Sequence, residues 1–463
     1  MNGGAETKSA AAGGVRQLLG LAWPVILSRA TQAVLGFSDA LMVAPLGESS
    51  LAAASTGALN AFAFMILPMG CVFIVQSFAA QLRGRGETAA LPRYAWYGLG
   101  IALAAGVCAL LVVPAVPWIL SHFSYEPAVH ALMAQYLAIR LLSMLPAVGT
   151  EALGNWYGGL GNTRVGMVAG VVTMVTDLAG NYLLIEPRFG LPGYGVAGAA
   201  WASTAGSMIG FLVILVAFLR GYGYDKAAVK LVLRAREFAR VLRFGLPNGV
   251  NWFLEFAAFV LFINVPVAKL GTTVLAAFNV VMQINSIAFM PAFGLSSAGA
   301  ILVGEAIGRR AHVEVWPIVR RTASVAAGWM ASVGLLYLVN PGWLMSLFAP
   351  RGVSAESMVA AGVTMLGISV IWQVFDAIAM ALSEALRAAG DTTWCMFARI
   401  VLAWFVFTPA AWSAVLLFQG GVVTIMLALS LYIAALALVF SLRFASGRWK
   451  RIALVEEPQL ELV

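Results

Sequence analysis

The sequence predicts an all-α polytopic membrane protein: twelve transmembrane helices in two parallel-repeat six-helix bundles around a central cleft. Four observations lead there. Of 463 residues, 61% are hydrophobic and 10% are charged, against roughly 25% charged in globular proteins, which excludes a water-soluble enzyme. Apolar runs of the roughly 20 residues needed to cross a bilayer recur along the whole chain with short connections. Lysine and arginine then fall on alternate connections, and the second half of the chain repeats the first.

Residues 1–16 are small and polar, with Lys8 and Arg16, and read as a cytoplasmic tail. The apolar run at 17–43 is too long for the core of a signal peptide, so it is retained as span one. Apolar runs punctuated by Gly, Pro or charge place five more spans near 51–80, 94–121, 128–156, 164–187 and 193–219. A basic linker at 220–239 follows. Spans seven to twelve lie near 240–268, 275–306, 317–347, 355–386, 393–417 and 420–444, and 445–463 form a second cytoplasmic tail. The domains are therefore an N-terminal bundle, 17–219, and a C-terminal bundle, 240–444.

Cytoplasmic connections retain positive charge. With the N-terminus inside, the tails, the even-numbered connections and the adjoining helix ends hold all but five of the 28 Lys and Arg residues, among them Arg83, Arg85, Arg164, Lys226, Lys230, Arg309, Arg310, Arg448, Lys450 and Arg451. Arg188, Lys269 and Arg351 fall outside, and Arg29 and Arg140 lie within spans. Both termini are expected in the cytoplasm and the chain in the inner (plasma) membrane. The net charge of +8 then reflects topology, and no nucleic-acid partner is expected because these charges border lipid and no folded domain presents them.

An offset of 224 pairs Gly47 with Gly271, Leu51 with Leu275, Gly70 with Gly294, Gly84 with Gly308 and Arg85 with Arg309; Pro24 and Pro247 agree at 223. Gly161-Asn162-Thr163 pairs with Gly390-Asp391-Thr392 at 229, a drift that loop insertions produce. Each half has an even number of crossings, so the two copies share one orientation and are related by an axis along the membrane normal.

Cys71, Cys108 and Cys395 lie in apolar runs without C-x-x-C spacing, which supports neither a disulfide framework nor a zinc site. His122, His130 and His312 sit in or beside predicted loops and are not clustered as metal ligands are. No cofactor is expected. Gly193-Tyr194-Gly195-Val196-Ala197-Gly198 matches a dinucleotide fingerprint, but no strand precedes it and no acid stands about 20 residues on. Its glycines are read as a tight loop and a close helix approach. The 18 Met and 26 Phe would suit an adaptable cleft, yet packing and lipid contact use the same residues, so they identify no substrate.

Leu21-Ala22-Trp23-Pro24 opening span one, Phe37-Ser38-Asp39 further along it, Gly161-Asn162-Thr163-Arg164 after span four, and Phe189-Gly190-Leu191-Pro192-Gly193 before span six, within a double six-helix layout, resemble the multidrug and toxic compound extrusion (MATE) family over essentially the whole chain. Glu255 with Asp376 is similar to its NorM-type branch. The resemblance implies cation-coupled export of organic, mostly cationic compounds, with Na⁺ or H⁺ as the coupling ion.

Ionisable side chains inside a membrane are costly and mark pathways or buried pairs. Glu255, in Asn251-Trp252-Phe253-Leu254-Glu255, stands near the middle of span seven, and Asp376, in Gln373-Val374-Phe375-Asp376, stands in span ten; neither has a basic residue nearby in sequence. Both are candidates for cation coupling and for substrate binding, as is Asp39, which matches the family's acidic position in span one. Asp177 and Asn181, one helical turn apart on span five, can share one proton or ion; the family commonly carries Asn-x-x-x-Asp or Asn-x-x-x-Asn here, so the acid has moved. Arg29 could repel cations or counter an anionic group, or form an interior salt bridge. Glu384 and Arg387 read as a local ion pair, and Arg140 and Glu151 receive no role. A flippase or exporter of lipid-linked saccharide from the related superfamily is the alternative, but it would want a basic cavity for pyrophosphate and only Arg29 and Arg140 are available. An intramembrane enzyme would need a nucleophile or His-centred site at membrane depth, and no span has a His in its middle. The expected partners are small organic substrates and the bilayer, with the chain a monomer.

Overall fold

The computed structural model describes residues 4–123, 125–188, 190–225, 232–348 and 354–456, the side chains of 4–13 and 354–355 excepted. Lys226, Lys230 and Arg351, which enter the charge count, lie outside the described residues, and nothing is described of the side chain of Lys8. The described residues are mostly helical and contain no strand, only a bridge between Arg188 and Leu191. Among the described residues, eleven helices are long and apolar enough to cross a membrane, and Pro127–Leu141 with Met144–Gly159, taken as one bent span, makes twelve. The predicted boundaries lie within about five residues of the helices except at span nine, whose helix runs His312–Val339 and is followed by a separate short one, Pro341–Ser346, and at span one, whose helix runs Gly4–Val43 and takes in the Ala10-Ala11-Ala12 stretch assigned to the tail. Alanine has the highest helix propensity.

Irregularities in the spans have local causes. Span four bends by 46° where Ser143 returns its hydroxyl to the Arg140 carbonyl at 2.6 Å and Pro146 lacks the N–H that would bond to residue 142. Span seven ends in a π-helical stretch, Ile263–Val267, which holds Pro266. Span eleven is interrupted by another, Val401–Phe407, two residues before Pro409. Prolines remove backbone donors and leave carbonyls that a wider turn can satisfy.

By contact the chain divides into two units, Met1–Ile26 with Val250–Val463, and Leu27–Gly249. The division falls within spans one and seven rather than at the basic linker. In the Leu27–Gly249 unit, spans five and six pack along most of their length. Its aromatic core centres on Trp156, whose indole N–H donates to the Leu91 carbonyl at 2.8 Å, and on Phe218 at a ring distance of 5.2 Å. The other unit packs spans eight, nine, ten and twelve against one another, around Phe262, Phe278 and Phe407.

Backbone geometry inside the units repeats as the sequence does. Gly47 and Gly271 both precede a helix with φ near +104° and +103°. Helix ends close alike: Glu87 N–H donates to the Leu82 carbonyl and Ala311 N–H to the Ala306 carbonyl, each at 2.9–3.0 Å, and Asn162 to Tyr157 matches Asp391 to Leu386 at 2.9 Å. These are six-to-one closures around a left-handed residue. Three of those residues are Gly86, Gly161 and Gly390, whereas the fourth, at the 224 offset from Gly86, is Arg310 with φ +61°.

Candidate functional site

Span one carries Asp39 close to its C-terminal end, and span five brings Asp177 and Asn181 to it. The Asn181 amide nitrogen donates to Asp39 Oδ1 at 2.6 Å and to Asp177 Oδ2 at 3.1 Å. Ser203 of span six donates its hydroxyl to Asp39 Oδ2 at 3.2 Å. Asp177 and Asn181 are both buried, and Asp177 Oδ1 and Asn181 Oδ1 have no hydrogen-bond partner. The close approach of span six is set by Gly206, where a Cβ would meet the Thr173 carbonyl oxygen at 2.8 Å and Asp177 Cβ at 3.2 Å. Tyr136 and Arg140 of span four lie within electrostatic reach of Asp177, and Arg140 also donates to Ser143 at 3.2 Å. A small cavity at the far end of span five, lined by Met42, Pro45, Tyr182, Ile185 and Glu186, reaches Asn181.

The arrangement is two carboxylates joined by one amide, with oxygens to spare. Such a site can hold one proton or one small cation, because two adjacent negative charges in an apolar bundle favour the uptake of one positive charge.

Glu255 and Asp376 of the other unit are not an isolated acid pair. Arg399, on span eleven, donates from Nη1 to Glu255 Oε2 and from Nη2 to Ser383 Oγ at 3.4 Å. Asp376 lies within electrostatic reach of Glu255 and Arg399 and makes no hydrogen bond among the described residues. Tyr432 of span twelve reaches all three. Trp404 clamps the same stretch of span seven, donating its indole N–H to the Leu254 carbonyl at 3.1 Å. Glu255 therefore has a basic partner, but it comes from a span distant in sequence.

Arg29 forms the interior salt bridge that was one of its two readings, to Glu151 at 2.6 Å, and Asn155 supports the same carboxylate at 2.9 Å. Glu151 thereby gains a place, and Arg140 has its own beside Ser143 and within reach of Asp177. Glu384 and Arg387 are a buried local ion pair as expected. Asp391, the acid of the second-half Gly-Asp-Thr motif, accepts a two-point bond from Arg443 at 2.7 and 3.0 Å. The glycine fingerprint is a turn and a helix contact: Gly193 and Gly195 have positive φ, and a Cβ on Gly198 would lie 2.3 Å from the Leu184 carbonyl oxygen.

Sequence reasoning missed Ser203, Tyr136 and Arg399. Arg399 was grouped with charged helix ends; its position seven residues inside span eleven was the available signal. Ser203 is one of many small hydroxyls in the spans and had none.

The MatE family model matches residues 24–183 and 247–412, a segment from each half. The probable multidrug resistance protein NorM of Pseudomonas putida is 28% identical over 441 residues, covering 94% of this chain and 95% of that protein. Its namesake in Rhizobium meliloti is 28% identical over 93% and 92%. A crystal structure of MATE in complex with MaL6 superposes with a TM-score of 0.85 at 20% identity, covering 94% of this chain and 97% of that one. A MOP superfamily transporter from Pyrococcus furiosus superposes with a TM-score of 0.85 at 19% identity, over 94% and 96%.

Proposed function

We propose, from the premise that this chain belongs to the MatE family, that it is a secondary active efflux transporter, exchanging Na⁺ or H⁺ for organic, mostly cationic and amphiphilic compounds by alternating access. The observation that carries this reading is the Asn181 amide nitrogen held between Asp39 and Asp177. A structural role alone would be served by one acid and one amide. The second buried carboxylate, with an oxygen left unpartnered, gives the site a use for a mobile cation. The NorM relatives carry multidrug resistance in their names, which supports small organic cargo.

Glu255 and Asp376 form the second acidic cluster, read here as part of the coupling and as the place where the charged group of a cargo is held. The alternation of Lys and Arg along the chain supports cytoplasmic termini in the inner membrane. A pyrophosphate carrier would draw on Arg29 and Arg140, but Arg29 is engaged by Glu151 and Arg140 stands within reach of Asp177.

The test is efflux from cells expressing Asp39→Asn or Asp177→Asn. Each variant keeps side-chain volume but loses a charge, so ion-driven export should be lost at normal membrane levels. Wild-type efflux in both would remove the coupling role from this site.

A further inference from the structure

Among the described residues of the Met1–Ile26 and Val250–Val463 unit, three ion pairs differ in how they are made. Arg443 grips Asp391 through two bonds at 2.7 and 3.0 Å, and the aspartate is 4% exposed. Arg387 reaches Glu384 through Nε and Nη2, and both side chains are nearly inaccessible. Arg399 touches Glu255 at one point only, its Nε has no hydrogen-bond partner, its other polar contact is the long one to Ser383, its guanidinium lies 5.5 Å from the Phe440 ring centroid, and Glu255 stays 38% exposed. The planar fork of arginine favours two-point recognition of a carboxylate, and here that preference is unmet.

Charge is also unbalanced around this pair. Glu255 and Asp376 set two carboxyl groups against the one guanidinium of Arg399, and Asp376 makes no hydrogen bond among the described residues. Immediately after Arg399 the helix passes into the π-helical stretch Val401–Phe407, a feature that loosens a span locally and recurs at functional sites.

We propose that Arg399 is a tethered stand-in cation on Glu255, displaced when a lipophilic organic monocation binds that carboxylate. The released guanidinium turns to Asp376, so that two carboxylates face two positive charges and the site is neutral with one monocation bound. Arg399 thus keeps the empty site from holding an unpaired glutamate and sets the charge of the cargo. This inference rests on the export reading above.

The experiment is equilibrium binding of tetraphenylphosphonium to the purified full-length protein, with the uncharged triphenylphosphine oxide as a control. Arg399→Gln should bind the cation about tenfold more tightly, the range expected when a partly exposed ion pair no longer competes. The gain should vanish in the Arg399→Gln, Glu255→Gln double variant, and the uncharged control should bind wild type and Arg399→Gln equally. Unchanged or weaker binding by a folded Arg399→Gln, or a gain that survives without Glu255, overturns the proposal. Should Arg399→Gln not fold, peptide-resolved phenylglyoxal modification of wild type decides: labelling of Arg399 should rise on saturation with tetraphenylphosphonium, and unchanged or reduced labelling overturns displacement. Wild-type protein that does not bind tetraphenylphosphonium at all refutes the cation-export reading itself, and the displacement with it.

Discussion

Replacing Asn181 by alanine removes the amide that donates to both carboxylates. Bonds of 2.6 and 3.1 Å meet at its amide nitrogen, so the two acceptor oxygens are no more than 5.7 Å apart. At that separation two unit charges in an effective dielectric of about 20 repel by about 3 kcal/mol. Arg140, within reach of Asp177, offsets part of this. That repulsion acts with Asn181 in place as well, so the substitution costs the two hydrogen bonds to charged acceptors, roughly 1.5–3 kcal/mol each, or about 3–6 kcal/mol of destabilisation in the ion-free protein. A bound proton or cation cancels the repulsion, so the variant should be rescued more strongly than wild type by the coupling ion. The assay is thermal unfolding in detergent, at low and high Na⁺ under constant ionic strength, and at neutral and mildly acid pH. The expected result is a lowered melting point that Na⁺ or acid largely restores. A wild-type melting point, or one that neither ion raises beyond its effect on wild type, would refute the idea that Asn181 bridges two charged carboxylates.

Arg310→Gly should raise stability by about 1 kcal/mol, because a side chain in the left-handed region is replaced by the residue its repeat partner Gly86 already uses; chemical unfolding in mixed micelles measures it. Arg443→Leu should cost about 3–5 kcal/mol by leaving buried Asp391 without its two-point partner, seen as a lower melting point and reduced membrane levels. Glu255→Gln and Asp376→Asn should each abolish ion-driven export, and the double variant should be no worse than either alone, since residues acting as a unit are non-additive. Initial-rate efflux under a fixed ion gradient separates that outcome from independent, multiplicative losses.

The spans were legible in the sequence because lipid demands long apolar helices, and no competing structure fits those runs. The repeat was legible in its glycines because positive φ leaves little choice of residue, and Gly47 with Gly271 and Gly161 with Gly390 bear this out in the backbone. The same rule failed at Arg310, which occupies a glycine position and so hides the repeat there. The contact of Asp177 with Asn181 followed from helical spacing, but the contact of Asn181 with Asp39 depends on how spans one and five pack, which no local pattern encodes. Arg399 was misplaced for a related reason: a charge near a helix end and a charge within a site look alike until the partner, Glu255, is brought from 144 positions away. The start of span one at Gly4 reflects alanine propensity, which hydropathy ignores.

Coupled exchange is the central claim, and flux through the purified protein in sealed proteoliposomes tests it most directly. With an imposed Na⁺ or proton gradient, a panel of cationic and neutral dyes should show uphill movement of the cationic members in the direction opposite to the ion, abolished by Asp39→Asn. Dye movement that ignores both gradients, or that runs uphill undiminished in Asp39→Asn, would contradict it.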